Sequence, residues 1–195
     1  MGRILLALTE MENEMSEGNG VLDDLLTEAA AAGPDAVVDK LGADDVARLA
    51  QEISTPGELR RLVEFAGDDT GMIDRLVEQI LGKAGSDVLL DRVFDLMPGR
   101  FLGERLRTER GTIEWHVTTP DGPQIYHLTI ADGVAESGRG AAGNPRVTLT
   151  LSAPDLLRLC AGTLNGLTAF MNGSIKLNGD MLFGAKLPAA FDTSA

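Results

Sequence analysis

His116 and His127 are the only histidines in this 195-residue chain, and imidazole is the side chain that exchanges protons most readily near neutral pH. Each lies in a run of alternating residues, Thr112 to Thr118 and Gln124 to Ala131. If these runs close into a hairpin around Asp121-Gly122, the two rings lie opposite each other on one sheet face, and Glu114 shares that parity. Acid–base work requires such a carboxylate to orient an imidazole toward a substrate. The alternative is a polar pair on the less buried face, away from Trp115, and the pattern favours it. No cluster has metal-ligand spacing, so no metal is expected.

Cys160 is the only cysteine, which excludes an internal disulfide and fits a reducing compartment. It sits on an apolar helical stripe with no histidine near in sequence, and reads as a buried structural thiol. Gly138-Arg-Gly-Ala-Ala-Gly143 satisfies the spacing of a dinucleotide-binding loop, but Asn144-Pro145 and a strand follow it where a helix is needed. It reads as a hairpin loop, and no cofactor is expected. Arg105, Arg107 and Arg110 form a basic patch beside Glu104 and Glu109. This is either a solvated face or the contact for a ligand carboxylate or phosphate at a cavity mouth. The doublets Asp23-Asp24, Asp44-Asp45 and Asp68-Asp69 read as helix-start and loop acids, and no catalytic residue is assigned.

These residues are positioned by two kinds of element. Residues 1–84 read as short helices, with stripes such as Leu22, Leu25, Leu26, Ala29 and Leu59, Leu62, Val63, Ala66. Thr55-Pro56-Gly57-Glu58 is a capping box with proline in the first turn. Further helices are read at 35–41, from Ala43, and at 73–82. After Gly85, a helix capped by Ser86 or Asp87 carries Leu89, Leu90, Val93, Phe94 and Met97, and Pro98-Gly99 ends it. Two strands follow, then a weak strand at Val134–Ser137 and a strong one at Val147, Leu149, Leu151, whose Gly-rich connection suggests a second hairpin. Ser152 caps a helix bearing Leu156, Leu159 and Cys160. A short turn through Phe170 and Met171, a fifth strand at Ile175 and Leu177, and a terminal helix at Met181–Leu187 complete an α+β order.

The formal net charge is −13, with 18 acids against 7 bases in residues 1–84 and 12 against 10 in 85–195. Such a chain repels phosphate backbones, which excludes nucleic acid as a partner, and adhesion to a membrane would require a local exception. No stretch is long enough to cross a bilayer. Ile4–Leu8 is too short for a signal-peptide core, and Leu6 breaks the myristoylation pattern that Gly2 would begin. A cytoplasmic location is expected.

Three ordered runs carry a family resemblance: Pro145-Arg-Val-Thr-Leu-Thr-Leu-Ser152, Asp155-Leu-Leu-Arg-Leu159, and Ala169-Phe-Met-Asn-Gly-Ser-Ile-Lys-Leu-Asn-Gly-Asp-Met181. With Asp91–Pro98 and Glu114–Thr118, they make residues 85–195 resemble the sterol carrier protein 2 family, particularly its actinobacterial members. The resemblance implies a five-stranded sheet covered by helices that enclose an apolar tunnel for fatty acyl chains, acyl-CoA esters or sterols. Its expected lining is Val93, Phe94, Met97, Phe101, Trp115, Leu128, Leu159, Phe170, Met171, Met181, Phe183 and Leu187. Methionine suits such a wall because it is flexible and polarizable.

The chain therefore divides into an acidic helical region, 1–84, and a sterol-carrier-like domain, 85–195. Three functions stay open: a non-catalytic carrier of an apolar small molecule, an enzyme using the same cavity with His116 or His127 as acid or base, and a scaffold whose N-terminal helices dock a protein partner.

Overall fold

The computed structural model describes residues 20–65, 67, 69–106 and 108–193. The expectations for Gly2, Leu6, the Ile4–Leu8 run, Ala66, Asp68 and Arg107 concern residues outside this set.

Amphipathic spacing in the first part produces helices α1 (Val21–Ala32), α2 (Pro34–Lys40), α3 (Ala43–Glu52), α4 (Pro56–Glu64) and α5 (Thr70–Ala84). The capping box forms as its residue types dictate. Thr55 Oγ1 accepts the Glu58 N–H at 3.2 Å, and Glu58 Oε2 accepts the Thr55 N–H at 2.9 Å. Helices this short are marginal alone, and their stripes are buried: Leu49, Leu62, Leu76 and Leu81 are at most 1% exposed.

Helix α6 (Ser86–Leu96) is not capped by Ser86 or Asp87, as the local sequence suggests. Instead the Ser86 N–H and hydroxyl both donate to Asp121 Oδ2, at 2.7 and 2.8 Å. A carboxylate from a distant turn satisfies the first turn of the helix and meets the positive end of its dipole. Short 3₁₀ turns follow at Met97–Arg100 and Gly103–Leu106.

The sheet contains β1 (Gly111–Thr118), β2 (Gln124–Ala131), β3 (Val134–Arg139), β4 (Val147–Ser152) and β5 (Lys176–Gly179), in the order β3-β2-β1-β4-β5. The expected second hairpin does not form: β3 pairs with β2, and β4 runs parallel to β1. The reason is burial. Val147, Leu149 and Leu151 all need a covered face, which an interior position provides, whereas β3 with exposed Val134 and Glu136 suits an edge. One apolar row crosses the sheet through the paired residues Tyr126, Trp115, Leu149 and Leu177.

Helices α7 (Ala153–Cys160), α8 (Gly166–Met171) and α9 (Met181–Lys186), with a last 3₁₀ turn at Leu187–Ala190, complete the α+β fold. The boundary after residue 84 lies between two helices, α5 and α6, and the apolar core is continuous across it. Arg60 reinforces the junction by donating to the carbonyls of Ala161 at 3.0 Å and Thr193 at 3.1 Å.

Candidate ligand-binding cavity

Trp115, Leu149 and Leu177 stand on neighbouring strands β1, β4 and β5 and form the floor of a cavity of about 550 Å³. Val93 and Met97 from α6 and its following turn form one wall, and Leu159 and Cys160 from α7 another. Phe170, Met181 and Leu187 close the side nearest solvent. Seven of the twelve sequence-selected residues thus share one cavity.

The other five lie elsewhere, for separate physical reasons. Phe94 turns away from Val93 and stacks on Tyr126, with ring centroids 4.1 Å apart. Leu128 is fully buried on β2, beyond the strands that floor the cavity. Phe101 sits behind the wall, 5.7 Å from Phe191, which itself lines the cavity. Phe183 is sealed beneath the Arg146 guanidinium, 4.2 Å from its ring centroid. Met171 is 78% exposed.

The wall that sequence reasoning missed comes from the N-terminal helices. Ile53, Ser54, Thr55, Pro56 and Leu59 face the cavity from the α3–α4 junction. Arg92 Nε donates to the Ile53 carbonyl at 2.8 Å, and Arg100 Nη2 to that of Ser54 at 3.1 Å. The family resemblance stops short of this segment, and a capping box gives no sign of what its flanking residues face.

Polar groups are few in this wall. Among the described residues, Arg100 is its only lysine or arginine and Asp192 its only acid. Of the basic patch, Arg105 donates to the Ala189 carbonyl at 2.9 Å and Arg110 pairs with Asp132. Trp115 Nε1 is buried without a hydrogen-bond partner. Burial pushes the Cys160 thiol up to about 12, so thiolate chemistry is suppressed.

Both histidines lie on the opposite face of the sheet. They share that face but are offset, since β1–β2 register sets Glu114 against His127 and His116 against Ile125. Glu114 Oε1 is 2.7 Å from His116 Nε2, and Oε2 accepts the Ala142 N–H at 2.8 Å. The hydrogen bond from His116, followed by that from Ala142, holds the Glu114 carboxyl below its ordinary range. His127 Nδ1 is 2.9 Å from the Gly140 carbonyl. A Cβ on Gly138 would meet the His127 ring at 2.7 Å, so this glycine lets β3 lie against the imidazole. The glycine pattern covers the outer sheet face and opens no helix. Among the described residues, no group of three or more His, Cys, Asp or Glu side chains is placed to hold a metal ion. No helix among them is long and apolar enough to cross a membrane.

A helix-covered, five-stranded sheet around an apolar cavity defines an α+β domain built to enclose a small hydrophobic molecule. Residues 97–192, just under half of the chain, match the SCP-2 sterol transfer family and form an SCP2-like domain. Stomatin-like protein 1 of Mus musculus is 35% identical over 92 residues, or 46% of this chain and 23% of that protein. The Homo sapiens protein of the same name is 34% identical, with the same shares covered. The match thus spans under a quarter of the length of these curated relatives. Among solved structures, sterol carrier protein 2 like 2 from Aedes aegypti is 24% identical with a TM-score of 0.43, over 54% of this chain and 95% of that one. The sec-alkylsulfatase Pisa1 from Pseudomonas sp. is 21% identical with a TM-score of 0.48, over 90% of this chain and 30% of that one.

Proposed function

We propose that the protein binds and carries an apolar or amphipathic small molecule in this cavity, without converting it. The observation that carries the reading is the cavity of about 550 Å³ walled by Leu, Ile, Met and Phe side chains, whose floor of strands belongs to the part matched by the SCP-2 family. That volume falls within the range of small-molecule sites, and each methylene buried there contributes about 0.8 kcal/mol. Fatty acyl, acyl-CoA, sterol-like and polyketide-like compounds fit this chemistry. Arg100, the one cation of the wall among the described residues, favours those with a carboxylate or phosphate head. The separation of His116 and His127 from the cavity favours carriage over acid–base catalysis. A cytoplasmic site of action belongs to the same proposal.

Native mass spectrometry of the purified chain, followed by extraction of any bound molecule, tests it. Saturable quenching or enhancement of Trp115, the only tryptophan, by added fatty acid is the expected companion result. A protein that yields no co-purifying molecule and no saturable response to fatty acid, acyl-CoA or sterol overturns the reading.

A further inference from the structure

Six large apolar side chains are exposed among the described residues, and five of them lie on α8 and α9: Leu167 at 64%, Phe170 at 37%, Met171 at 78%, Met181 at 58% and Leu182 at 80%. Scattered exposure is ordinary, but concentration on two short helices marks a surface that meets something. Leu167, Phe170 and Met181 also line the cavity, so the patch is continuous with its mouth.

Charge distinguishes the possible occupants. From Leu159 to Ile175 the chain carries no charged residue, and from there to Phe191 only Lys176, Asp180 and Lys186. Arg146 neutralises Asp180 at 2.7 Å, and Lys186 pairs with Glu109. The rim is therefore nearly free of acid in a chain of net charge −13. A second copy seated here would bring the same charge excess with it and be repelled. A lipid surface accepts apolar side chains without asking for hydrogen-bond partners, and the exposed Lys176 beside the patch extends to headgroup phosphates.

We infer that the α8–α9 rim is a bilayer-docking surface, which sets the cavity mouth against lipid so that a ligand moves between membrane and cavity without crossing water. The inference rests on the proposed binding of apolar ligands in that cavity.

The test uses the full chain and the variant Met171→Asp/Leu182→Asp, whose side chains are mostly exposed, so core packing is retained. Co-sedimentation with phosphatidylcholine vesicles, with and without phosphatidylglycerol, should show the parent chain bound and the variant weakened by about tenfold or more. Fluorescent fatty acid titrated in vesicle-free buffer should bind both proteins alike. Absence of vesicle binding by the parent chain, or equal binding by both proteins, overturns the inference. So does a concentration-dependent dimer that the variant abolishes, which would make the patch a self-interface. Loss of fatty-acid binding in both proteins with vesicle docking intact would instead remove the carrier reading and leave the docking surface standing.

Discussion

Arg92 and Ile53 belong to different parts of the chain, yet Arg92 Nε donates to the Ile53 carbonyl oxygen at 2.8 Å. With the bond from Arg100 to Ser54, it fixes the α3–α4 junction as a cavity wall. Arg92→Met keeps the aliphatic packing and removes the donor. Urea denaturation should show a loss of about 1 to 2 kcal/mol, the scale of one charge-assisted bond to a carbonyl. Fatty-acid titration should show weaker binding by the same variant, because the wall is then free to shift.

Leu159 lines the cavity from α7 while also packing against the core. Leu159→Trp should fill that cavity. Stability should change by less than about 1.5 kcal/mol because the cavity takes up the added volume, while fluorescent fatty-acid binding should fall by about tenfold or more.

Arg158 is 8% exposed and lies between two carboxylates, 2.8 Å from Asp74 of α5 and 2.7 Å from Asp155 of its own helix. The Asp74 contact is close but poorly aligned for a hydrogen bond, so it acts through charge. Burial leads among the causes that raise the Asp74 pKa, against the pull of Arg158. Arg158→Met leaves both acids without a cation. Because the Asp74 side chain is 40% exposed, solvent screens part of the repulsion, and the expected loss is about 2 kcal/mol rather than the full cost of an orphaned buried charge. Asp74→Asn should cost less. Urea midpoints of the two variants make the comparison.

Glu114 gives a pH signature. Its folded pKa lies below the ordinary value of 4.5, chiefly through the hydrogen bond from His116. The associated stability is therefore present above the unfolded pKa and is lost as pH falls through the folded one. Thermal melts from about pH 7 down to about pH 3 should decline more steeply for the parent chain than for Glu114→Gln. Parallel curves would exclude this carboxylate as a contributor.

The Cys160 thiol, pushed up to about 12 by burial, should react slowly with an aromatic disulfide reagent at neutral pH. Urea should restore ordinary reactivity. Because Cys160 also lines the cavity, bound fatty acid should slow the folded protein's reaction further.

The features legible in the sequence are those set by neighbours along the chain. The Thr55–Glu58 box, the α6 stripe and the β1–β2 alternation each depend on spacing within a few residues, and each appears in the structure. Features set by distant partners were not legible. Asp121 caps α6 from 35 residues away, and the strand order follows from which apolar runs find cover. The lining shows the same division. Helical spacing groups Phe170 with Met171 and Met181 with Phe183, but it does not say which member faces the cavity. Phe183 lies beneath Arg146 and Met171 reaches solvent. The signal for the missed wall was the apolar residue Ile53 two places before the capping box, which gains meaning only when a second segment is set against it.

The wall at Ile53–Leu59 lies outside the matched residues 97–192. A fragment trimmed to that match would therefore be a trough, missing one side of its vessel. On the proposed carrier function, ligand selectivity would be inherited through two separated stretches of the gene, and a substitution in the helical stretch would retune what the vessel holds while leaving every family hallmark untouched.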